Sequence, residues 1–302
     1  MNRNNSSLAY AELQPQDFLE ALEDLGFHFN GRLLALNSYE NRVYQVGIDD
    51  DDAVVAKFYR PNRWSDKAIL EEHDFTAELA EQEIPVVAPL VINGTTLHKV
   101  GDFRVAVYAC RGGRAPDLDD YELLEQLGRF VARIHLVGAT AHFRHRPGID
   151  IDSYAIESME YLLEHDFIPA ELLPAYESVA QNVVDGVEAS FDRAGDAMQL
   201  RIHGDFHPGN VLVAGEQLHI VDFDDTRSGP AVQDLWMFLS GDRAEQLPQL
   251  SALLDGYTQF RDFDARELHL VEALRSLRIM HYAAWLARRW DDPAFKHAFP
   301  WF

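Results

Sequence analysis

A single cysteine, Cys110, excludes an intramolecular disulfide, and its place after an apolar run reads as a small buried residue following a strand. No stretch of about 18 uncharged apolar residues occurs, so no transmembrane helix is expected. The polar, Asn- and Ser-rich start from Met1 to Tyr10 lacks the apolar core of a signal peptide. Low-complexity tracts and repeats of fixed period are missing too, which excludes a disordered or solenoid architecture. Positive charge is scarce: 26 Lys and Arg face 50 Asp and Glu, for a net charge of −24. That balance repels nucleic acid, and it suits solubility, a cationic substrate or basic segments of another protein. Together these absences point to a cytoplasmic protein that acts without membrane or nucleic acid.

What is present is enough apolar residue, 47%, to bury a core, in a chain of 302 residues. That length fits two lobes of about 150 residues each. Residues 15–25 read as an amphipathic helix, with Phe18, Leu22 and Leu25 at helical spacing. Strands are expected over 32–36, 42–48 and 53–59, joined by a polar turn at 37–41 and an acidic turn at 49–52. A helix follows over 65–81, with Ser65 as N-cap and Ile69, Phe75 and Leu79 as its apolar face. Further strands are expected over 87–92, 95–100 and 103–108, with Asn93-Gly94 as a hairpin turn. Gly112-Gly113 breaks the pattern and marks a boundary between residues 1–111 and 112–302. Beyond it, helices are expected over 119–137, 153–165, 169–194, 231–239, 245–260 and 265–290, with short strands at 199–202 and 218–221. A strand-rich first third and a helical remainder imply an α+β fold of two lobes.

The densest polar cluster is His203-Gly204-Asp205-Phe206-His207-Pro208-Gly209-Asn210, followed by an apolar run and then by Asp222-Phe223-Asp224-Asp225. A loop between short strands can aim several side chains at one point. Phosphoryl transfer needs a carboxylate to orient the attacking hydroxyl and hard oxygen ligands for Mg²⁺. Asp205 suits the first role, and Asn210 and Asp222 the second. The spacing Asp-x-x-x-x-Asn is that of a kinase catalytic loop, and an aspartate closes the next apolar strand, where kinases place their second metal ligand. Upstream, Lys57 in Val54-Val55-Ala56-Lys57-Phe58 resembles the strand lysine that contacts ATP phosphates, and Glu71 or Glu72 of the next helix is its expected partner. Neither G-x-x-x-x-G-K-[ST] nor G-x-G-x-x-G occurs. Ser38, in the turn between the first two strands, either offers its hydroxyl and backbone N–H groups to phosphate or belongs to a plain hairpin turn. His203 is expected to brace the catalytic loop and Asp234 to accept backbone hydrogen bonds from it. The aromatic and basic residues near the end, Arg288-Arg289-Trp290 and Phe299-Pro300-Trp301, read as packing and surface charge. Asp224 and Asp225 either tune the site or cap the loop.

These residues resemble the stress response kinase A (YihE protein kinase) family, within the aminoglycoside- and choline-kinase-like branch of the protein kinase-like fold. The longer strings carry the likeness: 36–45, Lys57-Phe58-Tyr59-Arg60-Pro61, Ile69-Leu70-Glu71-Glu72-His73, 229–237 and Asp292-Pro293-Ala294-Phe295. The resemblance implies an N-terminal nucleotide-binding lobe built on an antiparallel sheet with one main helix, and a helical catalytic and substrate lobe. It implies a monomeric, cytoplasmic serine/threonine protein kinase of the stress response, itself a phosphoprotein, that protects against oxidative or envelope stress. By position it makes Asp205 the proton acceptor, Asn210 and Asp222 the Mg²⁺ ligands, and Ser38, Lys57 and Glu72 the contacts of the co-substrate ATP. Glu72 is preferred because its distance to Pro85 matches that in aminoglycoside-kinase-like sequences. Where kinases carry Asp-Phe-Gly, this chain has Asp222-Phe223-Asp224. Family members commonly continue beyond the Pro300-Trp301-Phe302 at which this sequence stops.

Three other readings use the same residues. A small-molecule kinase would transfer phosphate to an amine or alcohol substrate with the same machinery. A metallohydrolase would use His203, Asp205 and His207 with Asp222, Asp224 and Asp225. A scaffold without turnover would bind nucleotide only, but the intact Lys57, Asp205, Asn210 and Asp222 speak against it.

Overall fold

The computed structural model describes residues 15–49, 52–100 and 103–302. The polar start and the middle of the acidic turn expected at 49–52 therefore lie outside the described residues. The chain forms two compact units: one of Met1–Ala115, Val211–Asp224 and Asp292–Ala298, the other of Pro116–Asn210, Asp225–Asp291 and Phe299–Phe302. The first break falls just past Gly112-Gly113. The return of two later segments to the first unit leaves no mark in composition.

The first unit is built on a five-stranded antiparallel sheet of order β1-β2-β3-β5-β4, comprising β1 Phe29–Ala35, β2 Arg42–Ile48, β3 Val54–Phe58, β4 His98–Val100 and β5 Phe103–Ala109. The period of two along a strand sorts its residues. Val54, Ala56 and Phe58 of β3 join Val105 and Val107 of β5 in a core closed by Phe18 and Leu22 of the Pro15–Glu23 helix. Lys57 points to the other face with Ala106, its register partner, and with Tyr59. The Asp66–Glu81 helix covers that face; Ser65 caps it by accepting Ala68 N–H at 3.2 Å, and Ile69, Glu72, His73 and Thr76 are buried at helical spacing. Sheet alternation and helix periodicity thus bring a lysine and a glutamate to one interface.

The run at 87–92 is not a strand. Pro89 has no N–H to give, so pairing with β5 shrinks to a bridge at Tyr108 and a bond from Leu90 N–H to Val107 O at 2.7 Å. Asn93-Gly94 does turn the chain, with Ile92 and Thr95 exchanging bonds of 2.9 and 3.1 Å. Only His98–Val100 of the run at 95–100 is strand. Cys110 follows β5 but is half-buried rather than buried. An unforeseen strand, Val211–Ala214, pairs with Gln217–Ile220 as a hairpin. This hairpin is stitched into the first unit by Val87 N–H to Ile220 O at 2.9 Å and by reciprocal bonds between Arg114 and Val213.

The second unit is helical around a two-stranded ladder of Leu200–Ile202 and Arg227–Gly229, the latter also unforeseen. Several expected helices are trimmed. Residues 231–239 give only Gln233–Trp236, and 265–290 resolves into a 3-10 stretch Ala265–Leu270 before Val271–Ala287. The stretch 153–165 opens with a π-helical turn, Asp152–Ile156, before Glu157–Glu164. The helix expected from residue 169 begins at Leu173, with a proline in its first turn. The short helix Pro293–Ala298 of the first unit was not expected.

The helices Tyr121–Gly138 and Arg243–Tyr257 meet at two glycines. A methyl group on Gly128 would overlap Leu253 O, and one on Gly256 would overlap Glu125 O. Gly186, in the helix Leu173–Ala194, faces open space. Gly186→Ala should therefore stabilise the protein by about 0.5–1 kcal/mol, the helix-propensity gain. Gly128→Ala and Gly256→Ala should instead cost about 2 kcal/mol, because overpacking outweighs that gain. Thermal melts of the three variants check the opposite signs.

Candidate functional site

In the first unit, Lys57 is buried and surrounded by carboxylates. Its Nζ lies 2.9 Å from Asp224 Oδ1, 3.3 Å from Asp222 Oδ1 and 3.6 Å from Glu72 Oε1. Of the two candidate glutamates, Glu72 faces the lysine. Burial alone would lower the Lys57 pKa, but Asp224, Glu72 and Asp222 outweigh it and raise it well above the usual lysine value. The ammonium also lies 5.0 Å from the ring of Tyr59, whose hydroxyl meets His73 Nε2 at 2.8 Å and the Tyr108 hydroxyl at 3.1 Å.

Asp222, just past the Gln217–Ile220 strand, lies in the left-handed region, φ 63°, a conformation that aspartate tolerates better than most residues. Its side chain is 54% exposed, whereas those of Glu72 and Asp224 are buried. Phe223 packs edge-on against Phe75 at 6.1 Å, fixing the turn to the Asp66–Glu81 helix. Asp224 also pairs with Arg63, and Arg63 lies 3.8 Å from Glu40. Ser38 sits half-buried in the turn between β1 and β2, which Leu36 N–H closes on Val43 O at 2.9 Å.

In the second unit, a buried carboxylate shapes the loop that holds Asp205. Asp234 accepts His203 N–H at 2.7 Å and Gly204 N–H at 2.9 Å. His135 Nε2 donates to it at 3.2 Å, and His135 Nδ1 lies 3.0 Å from the Tyr257 hydroxyl. Gln233 Nε2 donates to Gly204 O at 2.9 Å, so both backbone polar groups of Gly204 are held. Gly204 has φ 83°, and a Cβ there would strike Asp225 O. His203 is fully buried, with its ring 5.0 Å from that of Phe206. The backbone hydrogen bonds expected of Asp234 are thus found.

Asp205 pairs with Arg278 and lies 3.5 Å from His207 Nε2. Burial pushes its carboxyl up, but the His207 hydrogen bond and the Arg278 charge hold it below the usual carboxylate range. Asn210 closes a 3-10 turn, Pro208–Asn210, and its Nδ2 donates to Asp205 O at 2.9 Å. The side-chain oxygen of Asn210 is therefore the atom available to a hard cation. Asp225 pairs with Arg227 at 2.8 Å.

The site residues read from sequence fall into two groups. Lys57, Glu72 and Asp222 converge in the first unit, where Ser38 also lies, and Asp205 and Asn210 form one loop in the second. Sequence reasoning missed Arg63, Arg278 and the buried role of Asp224. An acidic residue in place of the Asp-Phe-Gly glycine was the available signal for the last. Of the metallohydrolase set, His203 is fully buried, with its ring against that of Phe206. Among the described residues no group of three or more His, Cys, Asp or Glu is disposed to hold a metal. A kinase needs fewer protein ligands, because substrate phosphates and water complete the sphere of Mg²⁺. No helix among the described residues is long and apolar enough to cross a membrane.

The model of the phosphotransferase enzyme family matches residues 32–271. Stress response kinase A of Escherichia coli (strain K12) is 43% identical over 298 residues, covering 99% of this chain and 90% of the relative. A protein of Salmonella typhimurium described as serine/threonine protein kinase RdoA is 40% identical over the same coverage. Among solved structures, amicoumacin kinase hAmiN in complex with AMP-PNP, Ca²⁺ and Ami superposes with a TM-score of 0.76 at 22% identity, covering 99% of this chain and 94% of that one. A microcompartment-associated aminopropanol kinase superposes with a TM-score of 0.71 at 20% identity, covering 89% of each chain. These two structures share the fold.

Removing the Asp234 carboxylate would leave two backbone N–H groups and His135 without their acceptor in a buried place. Asp234→Ala should cost about 3–5 kcal/mol, the range for breaking a buried charged network. Asp234→Asn, which keeps one acceptor oxygen, should fall between. Thermal melts read the cost, and amide hydrogen exchange should show protection lost at His203 and Gly204.

Proposed function

We propose that this chain, which belongs to the phosphotransferase enzyme family and within it to the stress response kinase A proteins, is an ATP- and Mg²⁺-dependent serine/threonine protein kinase. Membership makes it a phosphotransferase enzyme; the acceptor, the metal and the stress role are the proposed part. The observation that carries the reading is Lys57, buried among Glu72, Asp222 and Asp224. An ammonium held in one place by carboxylates is a fixed point of positive charge for the phosphates of ATP.

Asp222, the exposed member of the three, and the side-chain oxygen of Asn210 are hard donors that fit Mg²⁺. The cation, when bound, supplies neutralisation of phosphate charge. Ser38 meets the phosphates from the turn between β1 and β2. Asp205 accepts a hydrogen bond from the acceptor hydroxyl, aligns its oxygen with the γ-phosphorus, and takes its proton as the oxygen–phosphorus bond forms and the bond to ADP breaks. Held by Arg278 and His207, the Asp205 carboxylate contributes orientation of the hydroxyl more than proton abstraction. Such a role suits a loose transition state.

The relatives' descriptions support a protein Ser or Thr acceptor and a role in stress. Arg278 beside Asp205 supports an acceptor that is not an amine, because a cationic substrate would meet a cation there. The excess of acidic residues and the lack of a membrane-spanning helix among the described residues accord with a cytoplasmic monomer acting without nucleic acid.

The test is incubation with γ-labelled ATP, Mg²⁺ and generic protein substrates, beside Asp205→Asn and a panel of small alcohols. Label on protein Ser or Thr is expected, with transfer by Asp205→Asn reduced at least about 10²-fold and nucleotide binding kept. Label on a small alcohol but on no protein would reject the protein acceptor. Near-normal turnover by Asp205→Asn would reject that residue's role.

A further inference from the structure

The turn that carries Ser38 has none of the glycines with which phosphate-binding loops bring backbone N–H groups to a ligand. Its shape is imposed from outside, by an arginine. Arg60 Nε donates to Glu40 O at 2.9 Å, Arg60 Nη2 donates to Tyr39 O at 3.1 Å, and Arg60 N–H donates to Asn41 Oδ1 at 3.1 Å. One guanidinium therefore fixes two successive peptide planes. In a trans peptide the C=O and the following N–H point in opposite directions, and no cis peptide occurs among the described residues. With the carbonyls of Tyr39 and Glu40 drawn to Arg60, the N–H groups of Glu40 and Asn41 are turned away from it.

Arg60 is itself aimed by a residue from the far end of the chain. Asp292 Oδ2 accepts from Arg60 Nη2 at 3.0 Å and from Arg42 Nη2 at 3.3 Å. Its other oxygen, Oδ1, accepts Ala294 N–H at 3.0 Å and so anchors the carboxylate to the start of the Pro293–Ala298 helix. Phe295 of that helix lies 5.4 Å from the Arg60 guanidinium and 6.4 Å from the ring of Tyr39. Asp292 is only 8% exposed. Burial alone would raise its pKa, but Arg60, the Ala294 N–H and Arg42 hold it below the usual carboxylate range. A single carboxylate oxygen thus ties Arg42, where β2 begins, to Arg60, just past β3, on either side of the turn's exit.

We infer that Asp292 is a positioning residue for the nucleotide: through Arg60 it holds the Tyr39-Glu40-Asn41 backbone in the orientation that receives phosphate. The inference rests on the reading that the Ser38 turn meets ATP. A segment following the last long helix, remote in sequence from the nucleotide loop, thereby sets ATP affinity.

The experiment compares the full chain with Asp292→Asn, Arg60→Lys, the combined variant and Ser38→Asp. Nucleotide Kd, KM for ATP, KM for the acceptor and Tm are read for each. Asp292→Asn, which keeps the helix cap but loses the charge, should raise Kd and KM for ATP about tenfold, the loss of a charge-assisted hydrogen bond. Acceptor KM should stay within about twofold. Arg60→Lys keeps the charge but cannot fork to two carbonyls, and should do the same. The combined variant should be no worse than either alone, as expected for residues acting through one contact. Should Asp292→Asn fail to fold, Arg60→Lys decides the question. Unchanged ATP affinity in Asp292→Asn, beside a large loss in Ser38→Asp, overturns the inference and leaves the loop reading standing. Unchanged affinity in Ser38→Asp removes the loop reading and the inference with it. A parallel loss of Tm, ATP affinity and acceptor affinity marks a merely structural role and also overturns it.

Discussion

The buried ammonium of Lys57 is the constraint from which the first unit is organised. Taking a lysine out of water costs several kcal/mol even after relaxation, and the cost is met only by opposite charge at close range. Two unit charges about 4 Å apart attract by about 4 kcal/mol at an effective dielectric of about 20, and here three carboxylates lie at 2.9, 3.3 and 3.6 Å from the ammonium. Those three come from different places: Glu72 from the Asp66–Glu81 helix, Asp222 from the end of the Gln217–Ile220 strand, and Asp224 from the turn after it. A strand, a helix and a hairpin drawn from distant parts of the sequence must be present together for the lysine to be buried. The membership of Val211–Asp224 in the first unit is the visible result.

The second unit solves the converse problem with the same chemistry. There a buried carboxylate, Asp234, is compensated by two backbone N–H groups and a histidine rather than by a lysine. The effect is to stiffen a loop that has no regular secondary structure between Ile202 and Pro208 and would otherwise sample many shapes. Asp205, the proposed catalytic aspartate, then inherits a defined position from neighbours that hold the loop backbone. Asn210 adds to this by donating to the backbone of Asp205, so the proposed metal ligand and the proposed base are mutually oriented parts of one loop.

Much of this was legible because it is local. The alternation in Val54-Val55-Ala56-Lys57-Phe58 places Lys57 opposite the apolar core, whereas the preference for Glu72 over Glu71 comes from the family's spacing to Pro85, and the structure sets Glu72 beside Ile69 and His73 on the buried face of the helix. Asp234 was legible from its neighbourhood in the Gln233-Asp234-Leu235-Trp236 string. The missed elements are those whose cause is not local. Val211–Ala214 and Arg227–Gly229 are strands only because a partner lies across from them, and their few residues carry no period of their own. Residues 87–92 look like a strand by composition, but Pro89 removes a donor. Residues 231–239 look helical but stop early, as Gln233 and Asp234 turn their side chains to the loop of Gly204. The pairings of Arg278 with Asp205 and of Asp292 with Arg60 span 73 and 232 positions, and no pattern in the sequence announces them.

The replacement of glycine by Asp224 after Asp222-Phe223 has a physical consequence. In kinases the phenylalanine of that tripeptide sets the active arrangement by its packing. Here Phe223 packs on Phe75, and the next residue, instead of a flexible glycine, is a buried aspartate held by Lys57 and Arg63. Swinging Phe223 outward would drag Asp224 away from both cations. Asp224 is the carboxylate nearest to Lys57 Nζ, at 2.9 Å, so the movement would break two ion pairs of a buried side chain at once. The tripeptide is thus tied into the lysine site through both Phe223 and Asp224. The arginine-held turn at Tyr39-Glu40-Asn41 is a part of the same unit whose shape likewise depends on side chains rather than on its own backbone.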